Sequence, residues 1–413
     1  MSPTGRTALL VAGLAVATVV VPWWLTSVAV LAVLAVALVD ALMIRRPVAV
    51  DRVTPSVLAR GVPASLMLTS APAPGRVLVK QPATADLSIA DRLGVYRLET
   101  TVTARRRGHH ALPAPAVRSI GPLGLASWTR RGGEDVSLAV YPDLPAARRI
   151  AAAVRSGRFR FEGRARGPIG LGTEFESIRD YAPDDDVRHV NWRATERLGR
   201  PMSNQFRVER DRDVLCVVDC GRLMLAPLAN RTRLDAAIDA AVAVAAVADV
   251  LSDRCGAIAF DAGIRRFLAP RRAGAQAVVQ ALYDVEPVPA DADYAGAFAA
   301  IGEAKRAFVI VFTDLLDESA AAALLDALPT LARRHVVAIA SSVDPDLDRM
   351  LTTEPDRPSD VYRAAVALDV VAARDRVAVA LRARGVDVIE ASPEHLGTAC
   401  VRSYLRAKSR ARL

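Results

Sequence analysis

The segment RDYAPDDDVRHVNWRAT, residues 179–195, concentrates side chains that could do chemistry. It contains three consecutive aspartates, three arginines, one histidine and one tryptophan. Carboxylates beside a histidine can bind a metal ion or transfer protons, and carboxylates paired with arginines can hold two elements together. The composition therefore leaves three interpretations: a catalytic site, a metal site, or a joint between domains.

The local pattern favours the joint. Three aspartates before an apolar stripe are typical of a helix start, because negative charge is stabilising at the positive end of the helix dipole. The stripe, which predicts a surface helix packed on a core, consists of Val187, Val190, Ala194 and Leu198. Trp192 falls on the opposite face, where a tryptophan usually contacts a neighbouring domain, a second chain or a ligand.

Catalysis has less support in this segment. No nucleophile and base stand together, and the single His189 is a thin basis for a metal site. We expect the arginines of the segment to pair with the aspartates at residues 184–186. The residues predicted to contact a partner or a neighbouring domain are Arg179, Tyr181, Asp185, Asp186, Arg188, Asn191, Trp192 and Arg193.

A second candidate site consists of Asp219 and Asp314, which end the apolar runs VLCVVD and AFVIVFTD. In a parallel sheet the carboxyl ends of the strands share one edge, where ligands bind. Two carboxylates with water could hold Mg²⁺ weakly, with Thr313 close by, or Arg222 could neutralise them instead. We expect no cofactor, with Mg²⁺ at Asp219 and Asp314 as the one possibility.

The elements that position these residues follow from the hydropathy of the chain. Residues 7–44 are almost uncharged, too long for one spanning helix of about 20 residues, and interrupted by Pro22. We predict a transmembrane helical hairpin over residues 1–46. Arg6 lies at one end of this stretch, and Arg45 and Arg46 lie at the other. By the positive-inside rule, we predict that both ends and the soluble domains are in the cytoplasm. A cleaved signal peptide followed by one helix is the alternative, but no small-residue cleavage site follows the first apolar run.

The remaining chain divides by pattern into three parts. Short alternating runs separated by Pro and Gly predict a small β-sandwich over residues 47–142. Residues 143–210 form a connecting segment that contains the 179–195 motif. From residue 211 to 413, apolar strands alternate with helices, which predicts an α/β domain with a doubly wound parallel sheet covered on both faces.

Composition excludes several classes of protein. The net charge of +9 is compatible with a nucleic-acid partner or with an anionic lipid surface. The chain has few aromatic residues and no nucleic-acid fold signature, so we expect no nucleic-acid partner. The basic tail RSYLRAKSRARL leaves the binding of an anionic polymer as a weaker hypothesis. The four cysteines form no CxxC pair, and the three that lie in or beside apolar runs, Cys216, Cys220 and Cys255, are predicted to be small buried hydrophobes in a reducing compartment.

The order of elements after Asp213 resembles a von Willebrand factor A domain. That family builds a Mg²⁺ site from an Asp-x-Ser-x-Ser loop, a Thr from a second loop and an Asp after the fourth strand. Gly221 and Leu223 stand here at the two Ser positions, and the second loop offers Asp293 or Tyr294 instead of a clear Thr. The resemblance implies a degenerate domain of this kind, with Asp219 and Asp314 left from the ligand set.

A second resemblance covers nearly the whole chain. The stretch GTEFESIRDYAPDDDVRHVNWRAT is similar to the signature of the bacterial domain-of-unknown-function fifty-eight family, although Asp184 and Glu196 depart from it where Gly and Ala are usual. The residues that fit the signature are Gly172, Phe175, Ile178, Arg179, Tyr181, Asp185, Asp186, Arg188, Asn191, Trp192 and Arg193. The turn GPLGL, residues 121–125, also resembles a segment of that family.

The family resemblance implies a role rather than a reaction. Members have no settled activity and are typically encoded beside MoxR-type AAA+ ATPases and other von Willebrand-domain membrane proteins. We therefore expect a non-enzymatic adaptor, anchored in the inner membrane, that binds such an ATPase in envelope assembly or remodelling. The alternative is a metal-assisted hydrolase acting on an envelope component, for which Asp185 and His189 are the candidate bases. The chain has no GxxxxGK[ST] loop for binding ATP itself.

Overall fold

The computed structural model describes residues 2–159, 174–182, 185, 187–207, 212–228, 231–302, 305–315 and 318–409. It divides into two compact units, Met1–Tyr141 and Pro142–Leu413. We call the first the β unit and the second the α/β unit, and describe each by itself.

Two apolar helices open the β unit, α1 (Gly5–Ala17) and α2 (Trp23–Met43). Pro22 occupies the N-cap position of α2, where its missing N–H costs no helical hydrogen bond, so the predicted break at this proline is present. Within the described residues α2 is the helix long and apolar enough to cross a membrane, and only 22% of its apolar window is buried. Both a membrane anchor and a signal sequence have this composition, and α1 is apolar but shorter.

Twelve described strands form the rest of the β unit. They are β1 Ser2–Pro3, β2 Val50–Val53, β3 Val57–Ala59, β4 Ala64–Ser70, β5 Arg76–Lys80, β6 Leu87–Ile89, β7 Leu93–Val95, β8 Arg97–Ala104, β9 Gly108–Leu112, β10 Ala116–Ile120, β11 Ala126–Arg131 and β12 Val136–Tyr141. A nine-stranded sheet runs β1-β11-β10-β5-β7-β8-β4-β2, with β6 on β8, and a three-stranded sheet runs β3-β12-β9. Alternate residues of both sheets face one shared core that includes Leu66, Val102 and Leu138.

The α/β unit contains the remaining elements. They are α3 Leu144–Arg155, β13 Glu174–Asp180, α4 Trp192–Leu198, β14 Met202–Arg207, β15 Asp213–Asp219, β16 Pro227–Leu228, β17 Arg231–Thr232, α5 Arg233–Val250, β18 Arg254–Phe260, β19 Ile264–Arg271, α6 Ala275–Leu282, α7 Tyr294–Ile301, β20 Ala307–Phe312, α8 Glu318–Ala332, β21 Val336–Ser342, α9 Pro345–Thr352, α10 Pro358–Ala383, β22 Asp387–Ala391 and α11 Leu396–Ser409.

The main sheet of this unit has the strand order β19-β18-β15-β20-β21-β22. Five strands are parallel, and β19 is antiparallel to β18, so the predicted all-parallel sheet is wrong at this edge. Helices α7, α8 and α10 contribute to the core on the sheet with residues such as Phe298, Leu324 and Val377, while α5, α6 and α11 also contact its strands. The chain direction of the winding reverses between β15 and β20, which is where doubly wound sheets bind ligands.

All four cysteines are buried free thiols, which confirms the predicted burial of Cys216, Cys220 and Cys255 and adds Cys400. Burial raises the pKa of the Cys400 thiol, which keeps it protonated and unreactive.

Candidate functional site

Asp219, the last residue of β15, lies at the reversal point with only 1% of its surface exposed. Its carboxylate accepts hydrogen bonds from the Gly221 N–H at 2.7 Å, the Tyr294 hydroxyl at 2.9 Å and the Thr313 hydroxyl at 2.7 Å. The two hydroxyl oxygens are 2.8 Å apart. Tyr294 is the first residue of α7, and Thr313 follows β20, so the sheet order and one flanking helix assemble this cluster.

Burial dominates the electrostatics of this cluster. It raises the pKa of Asp219, and the charge of Asp314 raises this pKa further. The hydrogen bonds from the Gly221 N–H and from the two hydroxyls lower it, but they do not cancel the effect of burial. Burial also raises the pKa of Tyr294 well above its ordinary value, with Asp219 adding to the shift. Tyr294 therefore stays a hydroxyl donor throughout the physiological range.

Asp314 lies two residues after β20 and is held by two arginines. Its Oδ1 accepts from Arg233 at 3.0 Å, from Arg374 at 2.6 Å and from the Ser341 hydroxyl at 3.1 Å. Both guanidinium groups also donate to the Ser342 carbonyl, at 2.8 and 3.4 Å. Arg233 stands at the first position of α5, which Thr232 caps, and Arg374 projects from α10.

These two arginines are themselves buried, at 7% and 4% exposure. Burial lowers the pKa of Arg233, and the charge of Asp314 opposes that shift. The pair of cations around one carboxylate is thus a buried ionic cluster, in which removing the carboxylate would leave two buried arginines without the counter-charge that they share.

The residues at Asp219 and Asp314 do not fit a Mg²⁺ site. Mg²⁺ needs near-octahedral oxygen ligation, but the Asp314 oxygen is bonded to two cations and Asp219 to three protein donors. Gly221 and Leu223 supply no side-chain oxygen. Across the part of the chain that the structure describes, no three His, Cys, Asp or Glu side chains lie together as a possible metal site.

Arg222 does not neutralise these carboxylates, so that sequence-based alternative is wrong. Its guanidinium pairs with Asp291 at the surface, while Arg233 and Arg374 neutralise Asp314. Of two cavities in the described α/β unit, one adjoins this site and the larger one does not. One of about 230 Å³ lies beside Asp219 and is smaller than the roughly 300–1,000 Å³ of typical ligand pockets; a larger one, about 460 Å³, lies among α3, α5 and α6, away from both aspartates.

The 179–195 segment adopts a strand, a turn and a short helix. β13 and β14 pair antiparallel, and α4 lies between them in sequence. The helix starts at Trp192, with a single 3₁₀ turn at Val187–His189 before it. Its N-cap is Asn191, whose side chain accepts from the Ala194 N–H at 3.0 Å. The predicted helix start at the aspartate run is therefore wrong. Asp184, Asp186 and the side chain of Arg188 lie outside the described residues.

Asp185 ties the turn before this helix together. Its carboxylate accepts from Arg179 at 2.5 Å and from the Ala182 N–H at 2.9 Å, and the Tyr181 hydroxyl donates to its carbonyl at 3.0 Å. The Ala182 N–H, followed by Arg179, holds the pKa of Asp185 below its usual value. The predicted pairing of Arg179 with this aspartate run is confirmed at Asp185.

Apolar and charged side chains of this segment are both exposed, the charged ones including Glu196 and Arg197 of α4. α4 has no buried residue, and Val187, Trp192 and Leu198 are 64%, 69% and 53% exposed. The predicted packing of Val187 and Leu198 on a core is therefore wrong, while Trp192 does lie off any buried face. Arg193 is exposed as well, and Tyr181 and Asn191 are half-buried.

Comparison with known proteins places this segment in a family. Residues 177–355 match the family described as "Protein of unknown function DUF58". The family predicted from the signature is confirmed over this range, which contains α4, Asp219, Arg233 and Asp314. Arg374, which completes the ionic cluster, lies beyond the matched residues.

The curated relatives are uncharacterised. The chain is 29% identical over 184 residues to the uncharacterized protein Mb1516 of Mycobacterium bovis and to the uncharacterized protein Rv1480 of Mycobacterium tuberculosis. Each alignment covers 43% of this chain and 56% of the relative, so the chain spans about half the length of the curated relatives it matches.

Proposed function

We propose that this DUF58 chain is a membrane-anchored, non-enzymatic adaptor that binds a protein partner through the segment around α4. The observation that carries the proposal is Trp192, 69% exposed at the first position of a helix that buries none of its residues. Tryptophans are enriched among the residues that carry most of the binding energy in protein interfaces. Val187 and Leu198 are further exposed apolar side chains of the same segment.

The backbone that carries Trp192 is already ordered. The Asn191 side chain caps α4 and donates to Asn204 Oδ1 at 2.8 Å, and the Asn191 N–H donates to the Met202 carbonyl at 2.8 Å. The Met202 N–H in turn donates to the Thr195 hydroxyl at 3.0 Å. A surface held in this way loses little entropy on binding, which favours recognition.

The polar groups at the sheet edge support a non-enzymatic role. Asp219 is bonded to three protein donors, and Asp314 is bonded to two arginines and a serine. A hydrolase would need a free base or a metal-bound water at this edge. The metal-assisted alternative predicts turnover that disappears in Asp219→Asn or in Asp185→Asn, and the adaptor predicts none.

For the anchor, we infer that α1 and α2 form a transmembrane hairpin with both units in the cytoplasm. Most of α2 is exposed and apolar, and Arg6, Arg45 and Arg46 flank the pair. The strand order with an antiparallel β19 supports a von Willebrand factor A-like fold for the α/β unit. The family resemblance points to a MoxR-type AAA+ ATPase, together with other von Willebrand-domain membrane proteins, as the partners.

Co-purification from solubilised membranes tests the adaptor. Wild type is compared with Trp192→Ala and with Tyr362→Ala, a matched exposed aromatic on α10 that is 75% accessible. We expect an AAA+ ATPase with wild type and Tyr362→Ala and its loss with Trp192→Ala. With purified ATPase, loss of an interface hot spot should weaken Kd roughly 30-fold, corresponding to about 2 kcal/mol.

Each other outcome rejects part of the proposal. Recovery of the ATPase with all three proteins would show that Trp192 is not at the interface. Absence of the ATPase with wild type would reject this partner. Loss with both variants would point to a general defect instead of a specific surface.

A further inference from the structure

A buried carboxylate joins α2 to the sheet of the β unit. Asp40 lies in the last turn of an otherwise uncharged helix and has no exposed surface. It accepts hydrogen bonds from three backbone N–H groups, those of Leu123 at 3.0 Å, Leu125 at 2.9 Å and Ala126 at 3.0 Å. Burying a carboxylate is costly unless such bonds replace its water, so this residue is specifically accommodated.

The loop that receives Asp40, residues 121–125, has the sequence GPLGL. A Cβ at Gly121 would lie 2.2 Å from the Asp40 carboxyl carbon, so only glycine leaves room for the carboxylate. Gly124 has φ +71°, a backbone conformation that side chains disfavour. The two glycines therefore shape the loop around this one side chain.

Further bonds attach both helices to the same end of the β unit. The Trp128 indole donates to the Ala41 carbonyl at 3.2 Å, and Arg130 donates to the Arg45 carbonyl at 2.7 Å. The first contact satisfies a carbonyl in the last turn of α2 that the helix itself leaves open, and the second holds the chain just after the helix. On α1, the Thr7 hydroxyl donates to the Leu125 carbonyl. The helix pair and the loop are thus held in a fixed relation.

The surface beside this junction suits a lipid headgroup region. Leu123 is 53% exposed although its own N–H is bound to Asp40 at the helix end. Arg6, Arg45 and Arg46 are exposed around the same helix ends. An apolar side chain among arginines, next to the end of an apolar helix pair, matches the acyl-headgroup boundary of an anionic bilayer.

We propose that the 121–125 loop is a membrane-contacting loop that places Leu123 in the headgroup layer of an anionic bilayer, with Asp40 as its positioning residue. The inference rests on the proposed insertion of α1 and α2. It adds a lipid-binding surface on the β unit itself, and it fixes the height of that unit above the membrane.

Site-specific fluorescence quenching tests the proposal on the full chain. Because all four native cysteines are buried, a cysteine introduced at an exposed position is the main target for a maleimide fluorophore. The probe sites are Leu123→Cys, Val28→Cys within α2, and Leu93→Cys, an exposed position on β7 of the same sheet. Vesicles contain phosphatidylglycerol and lipids with a nitroxide either on the headgroup or deep in the acyl chain.

We expect headgroup nitroxide to quench most of the fluorescence at residue 123 and little at residue 93, with deep nitroxide quenching residue 28. Quenching at 28 without quenching at 123 would overturn the loop inference and leave insertion intact. Absence of quenching at 28 would overturn insertion, and with it this inference.

Two variants test whether Asp40 positions the loop. Asp40→Asn keeps the volume but replaces a carboxylate oxygen with an N–H₂ group facing N–H donors, so quenching at 123 should fall while quenching at 28 stays. Gly121→Ala, whose Cβ would meet the same carboxylate, should do likewise. Unchanged quenching at 123 in both would overturn the positioning role.

The lipid composition tests the role of charge. Replacing phosphatidylglycerol with phosphatidylcholine should reduce quenching at 123, and the double variant Arg45→Gln with Arg46→Gln should remove this dependence on the lipid. If quenching at 123 in wild type does not depend on the lipid, the anionic-lipid part of the proposal is overturned.

Discussion

At the scale of single residues, Asp314 is the carboxylate to which two buried arginines donate. Asp314→Asn should destabilise this unit by about 3–5 kcal/mol, because it leaves Arg233 and Arg374 buried without their counter-charge. The measurement is the thermal midpoint of the full chain in detergent micelles, followed by far-UV circular dichroism.

Asp291→Asn is the matched control, because it also removes an aspartate from an arginine pair. Its partner Arg222 is at the surface and Asp291 is 83% exposed, so solvent screens the pair and we expect no measurable change. Equal midpoints for the two variants would show that the Asp314 cluster does not contribute as a buried ionic group.

Asp219 predicts a pH dependence of stability. Burial raises its pKa in the folded chain, so the folded state binds this proton more tightly than the unfolded state does. Its contribution to stability is therefore complete below the unfolded pKa of about 3.9 and is lost as pH rises through the raised folded pKa. Asp219→Asn cannot ionise, so the variant should gain thermal midpoint relative to wild type as pH rises from about 4.

Comparing the two proteins at each pH isolates this residue from Asp249, whose pKa burial also raises. A constant difference in midpoint between wild type and Asp219→Asn across that range would contradict the raised pKa.

Part of this cluster was predictable from sequence, because an acidic residue directly after a buried strand must lie at the sheet edge. Asp219, Thr313 and Asp314 were found in this way. Arg233 and Arg374 were not, since they lie 81 and 60 residues from Asp314 in the chain and only the folded sheet brings them together. One signal was available: Arg374 interrupts a largely apolar helical run.

At the scale of elements, α4 depends on its caps. It has seven residues and buries none, so packing contributes little and the end groups decide its stability. Asn191→Ala removes the acceptor for the Ala194 N–H and should cost about 1 kcal/mol of local stability. A loss of this size should accelerate amide hydrogen exchange across Trp192–Leu198 several-fold.

Asn191→Asp is the matched control. It keeps the acceptor for the Ala194 N–H but loses the donor to Asn204 Oδ1, so exchange in α4 should stay close to wild type. Equally fast exchange in both variants would assign the stability to the Asn204 bond instead of the cap.

The predicted elements succeeded where burial was one-sided or complete. Alternation identified strands such as Ala64–Ser70, and continuous apolar runs identified Asp213–Asp219 and Ala307–Phe312. β19 was missed, because this exposed edge strand contains three arginines and a proline and has no apolar period. The start of α4 was misplaced because aspartates before an apolar run look like a cap, while Asn191 is the actual cap.

At the scale of the whole molecule, the distribution of charge around α1 and α2 predicts the topology. If both helices span the membrane, the turn between them emerges on the far side and both units stay in the cytoplasm. Val20 is 88% exposed in that turn, and Leu93 is exposed in the β unit. In intact cells an impermeant maleimide should therefore label Val20→Cys and leave Leu93→Cys unlabelled until the cells are lysed.

The signal-peptide alternative is tested by the mass of the mature protein. Cleavage after the first apolar run would remove the residues before it but leave α2 as a single spanning helix, with the β unit still in the cytoplasm and Leu93→Cys unlabelled, so an intact mass that retains α1 is the outcome that favours the hairpin. The native buried thiols provide the background, and unmodified wild type should stay unlabelled in intact cells. Labelling of Leu93→Cys before lysis would reverse the orientation and remove any cytoplasmic ATPase from the partners that Trp192 could reach.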